Sequence, residues 1–179
     1  MDPLIEQLSH RAGKALATRS WQLVTAESCT GGWIAEAITA IAGCSAWFDR
    51  GFVTYSNTAK RELLNVREAT LKTHGAVSEQ VVREMAQGAL ENSPADLAVA
   101  VSGIAGPTGG TPDKPVGTVC IGLAARAAAA TAIRCHFDGD REAIRRQTVL
   151  FALEAVLLTA KGRTIAEALC HNRREPSKG

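Results

Sequence analysis

Short apolar runs alternate with amphipathic stretches along the chain, and three of the runs break off in the same way. Leu23-Val24-Thr25-Ala26 leads into Glu27-Ser28-Cys29-Thr30-Gly31-Gly32, and Gly51-Phe52-Val53-Thr54 leads into Tyr55-Ser56-Asn57-Thr58-Ala59-Lys60. Leu97-Ala98-Val99-Ala100-Val101 leads into Ser102-Gly103-Ile104-Ala105-Gly106-Pro107-Thr108-Gly109-Gly110. Each run has the length of a strand and ends in a polar cluster where a helix can start. Leu4, Leu8, Ala12 and Leu16 recur at helical spacing, with Glu6, His10, Arg11 and Lys14 between them, which predicts an amphipathic opening helix. Ile34, Ala37, Ile38 and Ile41 mark one face of a helix that starts at Gly31 or Gly32. Asn57 reads as the N-cap of a helix through Leu64. Ser78 caps another, which turns Val81, Val82, Met85, Ala86 and Ala89 inward before Pro94 ends it.

Residues 117–125 and 130–137 read as two further strands, so close in sequence that only a hairpin joins them, and the pair is expected to be antiparallel. The alanine run between them has strong helix propensity and no turn residue, which leaves that boundary open. Asp138-Gly139-Asp140 starts a long closing helix, with Ile144, Leu150, Leu153, Leu157 and Leu158 available for a core stripe. The alternation predicts an α/β fold, a three-layer α/β/α sandwich with a mixed, mostly parallel sheet. A single domain over residues 1–170 is expected, followed by a polar, basic tail over 171–179 that is expected to be disordered. There is no internal repeat and no low-complexity linker.

Composition narrows the class. At 179 residues, 46% hydrophobic and 21% charged, the chain has a globular profile and enough length for a core without disulfides or metal. A net charge of +2 demands no nucleic-acid partner. Five cysteines, with no CxxC pair, argue against a disulfide framework and against a zinc knuckle. The four histidines share no ligand spacing, so no metal site is expected. The acidic, helix-like start is no signal peptide and no run is long enough to span a membrane, which makes the cytoplasm the expected compartment.

If the three runs are neighbouring parallel strands, their carboxyl ends share one sheet edge, where open α/β folds bind ligands. Ser28 and Cys29 then sit between a strand and a helix N-terminus, where free N–H groups and the dipole favour an anion and where Gly31 and Gly32 admit close approach. Ser28 or Thr30 equally well serves only as a cap. Lys60 falls in the first turn of its helix, where the macrodipole disfavours a cation and lowers its proton affinity toward that of a general base. Its other reading is a solvated surface lysine beside Arg61 and Glu62. The loop Ser102–Gly110 lacks the order of a phosphate loop or a dinucleotide fingerprint, leaving a backbone nest for an anion or carbonyl, or a flexible connector. Arg141 also opens a helix, among Asp138, Asp140 and Glu142, and is either a phosphate contact or a solvated charge.

These strings resemble the CinA C-terminal domain family (competence/damage-inducible protein). The resemblance rests on Thr25-Ala26-Glu27-Ser28-Cys29-Thr30-Gly31-Gly32, Gly51-Phe52-Val53-Thr54-Tyr55-Ser56-Asn57 with Lys60, Gly75-Ala76-Val77-Ser78, Ser102-Gly103-Ile104-Ala105-Gly106-Pro107 with Gly109-Gly110, and Lys114-Pro115-Val116-Gly117-Thr118-Val119. It is similar to the stand-alone members, without the nucleotide-related N-terminal domain of the longer ones, although the tail after about Lys161 is longer and more basic than expected of them. What the resemblance implies is a carbon–nitrogen hydrolase acting on a linear amide, converting nicotinamide mononucleotide to nicotinate mononucleotide and ammonia in pyridine nucleotide salvage. It implies no metal or organic cofactor, a small-molecule nucleotide as partner, no nucleic acid or membrane, and a homodimer or higher homo-oligomer.

Carried over by position, the resemblance makes Ser28 the nucleophile and Lys60 the proton acceptor, with Tyr55 and Ser102 close by. Cys29, Thr30, Gly31, Gly32, Gly103 and Gly106 would surround the substrate, with N–H groups around 30–32 or 103–106 holding the oxyanion. Thr108, Gly109, Gly110 and Arg141 are its candidates for the ribose phosphate. Cys29 keeps an alternative open, since a thiol is intrinsically the stronger nucleophile. Two other classes remain beside the hydrolase. One is a non-catalytic pyridine-nucleotide-binding module linked to competence or the DNA damage response. The other is a DNA-associated accessory protein, which the near-neutral charge disfavours.

Overall fold

The computed structural model describes residues 2–126 and 128–171. Along them run α1 (Pro3–Thr18), β1 (Leu23–Glu27), α2 (Trp33–Thr39), β2 (Phe48–Val53), α3 (Asn57–Leu64) and α4 (Glu68–His74). There follow α5 (Glu79–Glu91), β3 (Leu97–Gly103), β4 (Thr118–Ala125), β5 (Ala128–His136), α6 (Arg141–Ala160) and α7 (Ile165–His171). The strands form one five-stranded sheet in the order β2-β1-β3-β4-β5. β1 pairs in parallel with β2 and β3, while β3–β4 and β4–β5 are antiparallel, so every strand but β4 points the same way. The expected α/β/α sandwich with a mixed sheet is the architecture of the chain.

Alternate residues of the central strands feed two cores. Leu97, Val99 and Val101 face Ile5, Leu16, Ile34, Ile144 and Leu153 of the layer made by α1, α2, α6 and α7. Ala98, Ala100, Val24 and Ala26 face Leu64, Leu71, Val81, Val82 and Met85 of the layer made by α3, α4 and α5. Both faces are apolar, which is why these strands read as unbroken runs and not as an alternation. The second face is largely alanine, and α5 lies close against it. A Cβ at Gly122 would stand 2.7 Å from the carbonyl oxygen of Val82, and one at Gly88 would stand 1.9 Å from that of Leu64.

Several expectations shift. The buried stripe of α1 is Ile5, Ser9, Ala12, Gly13 and Leu16, and Leu4 is exposed. The rotation lets the ring of Trp47 sit against Gly13, where a Cβ would be 2.4 Å away. Ser56, not Asn57, caps α3, because its Oγ accepts from the Ala59 N–H at 3.0 Å and Asn57 is already helical. Within the alanine run, residues 128–130 join strand β5, opposite β4 in the expected hairpin, since cross-strand pairing outweighs their helix propensity. Leu150 and Leu158 are only half-buried at the margin of the α6 stripe. His171 closes α7, and the rest of the expected tail, 172–179, lies outside the described residues.

β1 and β3 are parallel neighbours, yet the chain leaves β1 toward β2 and leaves β3 toward β4. Their carboxyl ends therefore flank a topological switch point, where the two connections diverge and open a crevice. Among the described residues no helix is long and apolar enough to cross a membrane.

Gly88 provides a test of the close α5 packing. Helix propensity alone would make Gly88→Ala stabilising by about 1 kcal/mol. A backbone carbonyl cannot rotate out of the way, so the added methyl should instead destabilise by ~1–3 kcal/mol. Urea unfolding of the two proteins checks the sign.

Candidate active site

Two backbone bonds place the chemistry at the switch point. β1 ends at Glu27, and the Ser28 N–H donates to the carbonyl of Val101 at 3.0 Å, bridging to β3. On the other flank the Thr54 N–H donates to the carbonyl of Glu27 at 2.8 Å, fixing the exit from β2. Ser56 then starts α3, whose first turn brings Lys60 back over the strand ends. The Lys60 Nζ lies 3.0 Å from Ser28 Oγ, 2.8 Å from the carbonyl of Thr54 and 3.5 Å from that of Tyr55.

Lys60 is 1% exposed. Loss of hydration disfavours its charged form and lowers its pKa from 10.5 to about 8, with Cys29 acting in the opposite direction. A neutral amine has two N–H donors and one lone pair. Donation to the carbonyls of Thr54 and Tyr55 leaves the lone pair facing the Ser28 hydroxyl, which is the geometry of a base beside an alcohol. Cys29 differs. Burial pushes its thiol up to about 12, so it stays protonated at neutral pH and the reactive thiolate is scarce.

A cavity of about 210 Å³ opens here, and Ser28, Cys29, Tyr55, Lys60, Ser102, Gly103 and Arg141 all line it. The Ser102 hydroxyl donates to the carbonyl of Ala76 at 2.8 Å. Arg141 reaches across from the start of α6, donating to the carbonyl of Gly106 at 2.9 Å and to the Tyr55 hydroxyl at 3.1 Å. Arg141 also lines a neighbouring cavity of about 490 Å³, with Trp33, Asp140, Glu142 and Arg145.

Other candidates are placed elsewhere or already engaged. Thr108, Gly109 and Gly110 are exposed on the outer part of their loop and do not line the cavity. The Thr30 hydroxyl is buried and donates to Glu27 Oε2 at 2.6 Å. The Gly31 N–H donates to the carbonyl of Ser28, and the Gly32 N–H to Glu27 Oε2. Neither is free to hold an oxyanion. Among the described residues, no group of three His, Cys, Asp or Glu side chains could hold a metal.

Two residues escaped the sequence reading. Arg145, one turn after Arg141 on α6, donates to the carbonyls of Cys29 and Thr30 at 3.2 and 2.8 Å, with its guanidinium 5.2 Å from the Trp33 ring. The spacing of four from Arg141 was a usable signal, because both side chains then share one helix face. Glu27 is the other, and its only signal was a carboxylate at the end of an otherwise apolar strand.

An alcohol in contact with a buried amine at the carboxyl edge of an α/β sheet defines the class of the site, a Ser–Lys pocket. The chain belongs to the CinA C-terminal domain family, whose match covers residues 5–160. It is 58% identical over 153 residues to a nicotinamide-nucleotide amidohydrolase, PncC, of Enterobacter agglomerans, covering 86% of this chain and 93% of that protein. It is 57% identical over 156 residues to PncC of Escherichia coli K12, covering 87% and 94%. Among solved structures, the competence/damage inducible protein CihA of Agrobacterium tumefaciens superposes with a TM-score of 0.85 at 48% identity, covering 90% of this chain and 98% of that one.

Burial of Lys60 makes a stability prediction. With its folded pKa near 8 and the ordinary value 10.5, the unfolded chain binds more protons across that window, so stability from this group rises with pH through it. The contribution is fully present above about 10.5 and lost as pH falls toward 8. In denaturant unfolding, wild type should therefore gain on Lys60→Met as pH is raised from 8 to 10.5. A difference between the two that does not change with pH would contradict a neutral buried amine.

Proposed function

We propose that the protein hydrolyses the carboxamide of nicotinamide mononucleotide, releasing ammonia and nicotinate mononucleotide, with Ser28 as nucleophile and Lys60 as general base. The contact of 3.0 Å between Lys60 Nζ and Ser28 Oγ, with two carbonyls to take the amine N–H groups, carries this reading. The names of the relatives at 57–58% identity supply the substrate. The protonated state of the buried Cys29 thiol supports serine over cysteine.

Ser28 Oγ attacks the carboxamide carbon while its proton passes to Lys60 Nζ. No hydrogen bond among the described residues takes the N–H group of Thr30, and with that of Cys29 it is the donor next to the nucleophile that would meet the oxyanion. Contacts of this kind are worth ~2.7–4 kcal/mol each. Collapse of the tetrahedral intermediate breaks the C–N bond, and Lys60 gives its proton to the departing nitrogen, which leaves as ammonia. Water then attacks the Ser28 ester, Lys60 accepts a proton from it, and the Ser28 C–O bond breaks as that proton returns to Oγ.

The small cavity suits the pyridine carboxamide, and the ribose phosphate extends toward Arg141 and the larger cavity beyond it. Arg141 is the phosphate contact in this reading, with Arg145 behind it. Val53, Tyr55 and Leu63 are large apolar side chains left exposed, and in this reading they support a homo-oligomer.

An ammonia-release assay with the mononucleotide tests the proposal. Ser28→Ala and Lys60→Met should each lower kcat by at least ~10³-fold, while Cys29→Ala retains most of it. Near-normal turnover by Ser28→Ala would sink the assignment, and mononucleotide binding without any ammonia release would favour the non-catalytic module. The rate should rise with pH and level off above about 8, as Lys60 loses its proton. Arg141→Ala should raise KM for the mononucleotide by ~10-fold or more and change KM for the riboside, which has no phosphate, far less.

A further inference from the structure

The helix that follows the nucleophile has an unusual start. Its N-cap, Gly32, has left-handed backbone (φ 98°) and no side chain with which to cap. The cap comes from Glu27, five residues upstream. Glu27 Oε2 accepts from the Gly32 N–H at 3.1 Å, the Ile34 N–H at 3.0 Å and the Thr30 hydroxyl at 2.6 Å. Glu27 Oε1 accepts from the Ala35 N–H at 2.8 Å and the Thr25 hydroxyl at 3.4 Å. The residue is fully buried, at 0% exposure. No side-chain cation lies within ion-pair distance of it among the described residues.

The backbone of the same residue works on the opposite flank. Its carbonyl accepts from the Thr54 N–H, and the Thr54 carbonyl in turn accepts from Lys60 Nζ. Glu27 thus ties the helix on one side of Ser28 to the strand exit that holds the amine on the other. Ser28 is its neighbour in the chain, so the path from carboxylate to nucleophile is a single residue long.

We propose that Glu27 is a positioning residue for the Ser28–Lys60 pair. Its carboxylate locks the turn 28–32 so that the serine hydroxyl meets the amine, and it occupies the N–H groups at the start of α2. A helix start so occupied holds no substrate anion, which leaves the arginines of α6 to serve that purpose. This inference rests on the hydrolase reading above. A small displacement of a nucleophile from its base costs turnover far more than binding, so the expected signature is a split between kcat and KM.

Glu27→Gln keeps the size and places an NH₂ group against helix N–H donors that need an acceptor. The variant should fold, by circular dichroism and by cooperative unfolding. It should lose ~10-fold or more in kcat for ammonia release, with KM within about threefold of wild type. The rate at which a serine-directed fluorophosphonate labels Ser28, read by mass spectrometry, should fall in parallel. Should Glu27→Gln fail to fold, Thr30→Val removes one of the bonds to the carboxylate and should lower both readouts severalfold. A folded Glu27→Gln protein, or in its place a folded Thr30→Val protein, with wild-type labelling and turnover overturns the positioning role and leaves the hydrolase reading standing. A loss confined to KM overturns it equally. A wild-type protein that neither labels at Ser28 nor releases ammonia removes the hydrolase reading, and this inference with it.

Discussion

A lysine amine enclosed by two backbone carbonyls and one serine hydroxyl is the constraint around which the rest of the site is arranged. An ammonium taken out of water without a counter-ion is costly, and a protein normally answers by pairing it or by letting it lose its proton. Here desolvation brings the pKa of Lys60 down to about 8, so the proton is given up close to neutral pH. The first turn of α3 adds the positive end of a helix dipole to the desolvation, and both act against the cation. What remains is an amine whose two hydrogens have fixed acceptors and whose lone pair has one direction left. The sheet sets that direction, because Thr54, Glu27 and Val101 are joined across three adjacent strands by backbone bonds.

Three helices begin near this crevice, and they handle their exposed N–H groups differently. α2 is closed by a buried carboxylate. α3 carries a lysine where an acidic residue would be the stabilising choice. α6 is capped by Asp140, yet it carries Arg141 in its first turn and Arg145 one turn on, the latter pinned to the carbonyls of Cys29 and Thr30. A cation in the first turn costs ~0.3–1 kcal/mol at a surface helix end. For Arg141, which is exposed, that cost is small, and both placements against the dipole fall on elements that line the cavity.

The elements legible in the sequence were those with a strong period. The runs at 23–26 and 97–101, the α5 face and the hairpin were all readable from the spacing of apolar residues, and so was the shared sheet edge they imply. A short helix without an apolar stripe was not. α4 has seven residues and only Leu71 as a buried apolar side chain, too little for a helical period to show. The site divided along similar lines. Ser28 and Tyr55 come just after strands, Ser102 lies near the end of β3 and Lys60 in the first turn of the helix after β2, so the fold alone brings them together. Glu27 was hidden because three of its partners are backbone N–H groups, which leave no mark in a sequence.

The glycine-rich loop shows why residue type misleads when its cause is unknown. Glycines after a buried strand were read as freed backbone for an anion. The structure gives three of them a different reason. A Cβ at Gly103 would stand 2.6 Å from the side chain of Val119, one at Gly106 2.6 Å from that of Val116, and one at Gly110 2.7 Å from the Val116 backbone nitrogen. The loop is glycine-rich because it folds back tightly onto the chain that becomes β4, and it is held there by bonds from Ile104 to Thr118 and from Gly117 to Ile104. Packed in this way, its first residues form a wall of the cavity. It presents the carbonyl of Gly106 as an acceptor for Arg141. Its chemical contribution is thus to orient a cation, which is the opposite polarity from the anion nest that its composition suggested.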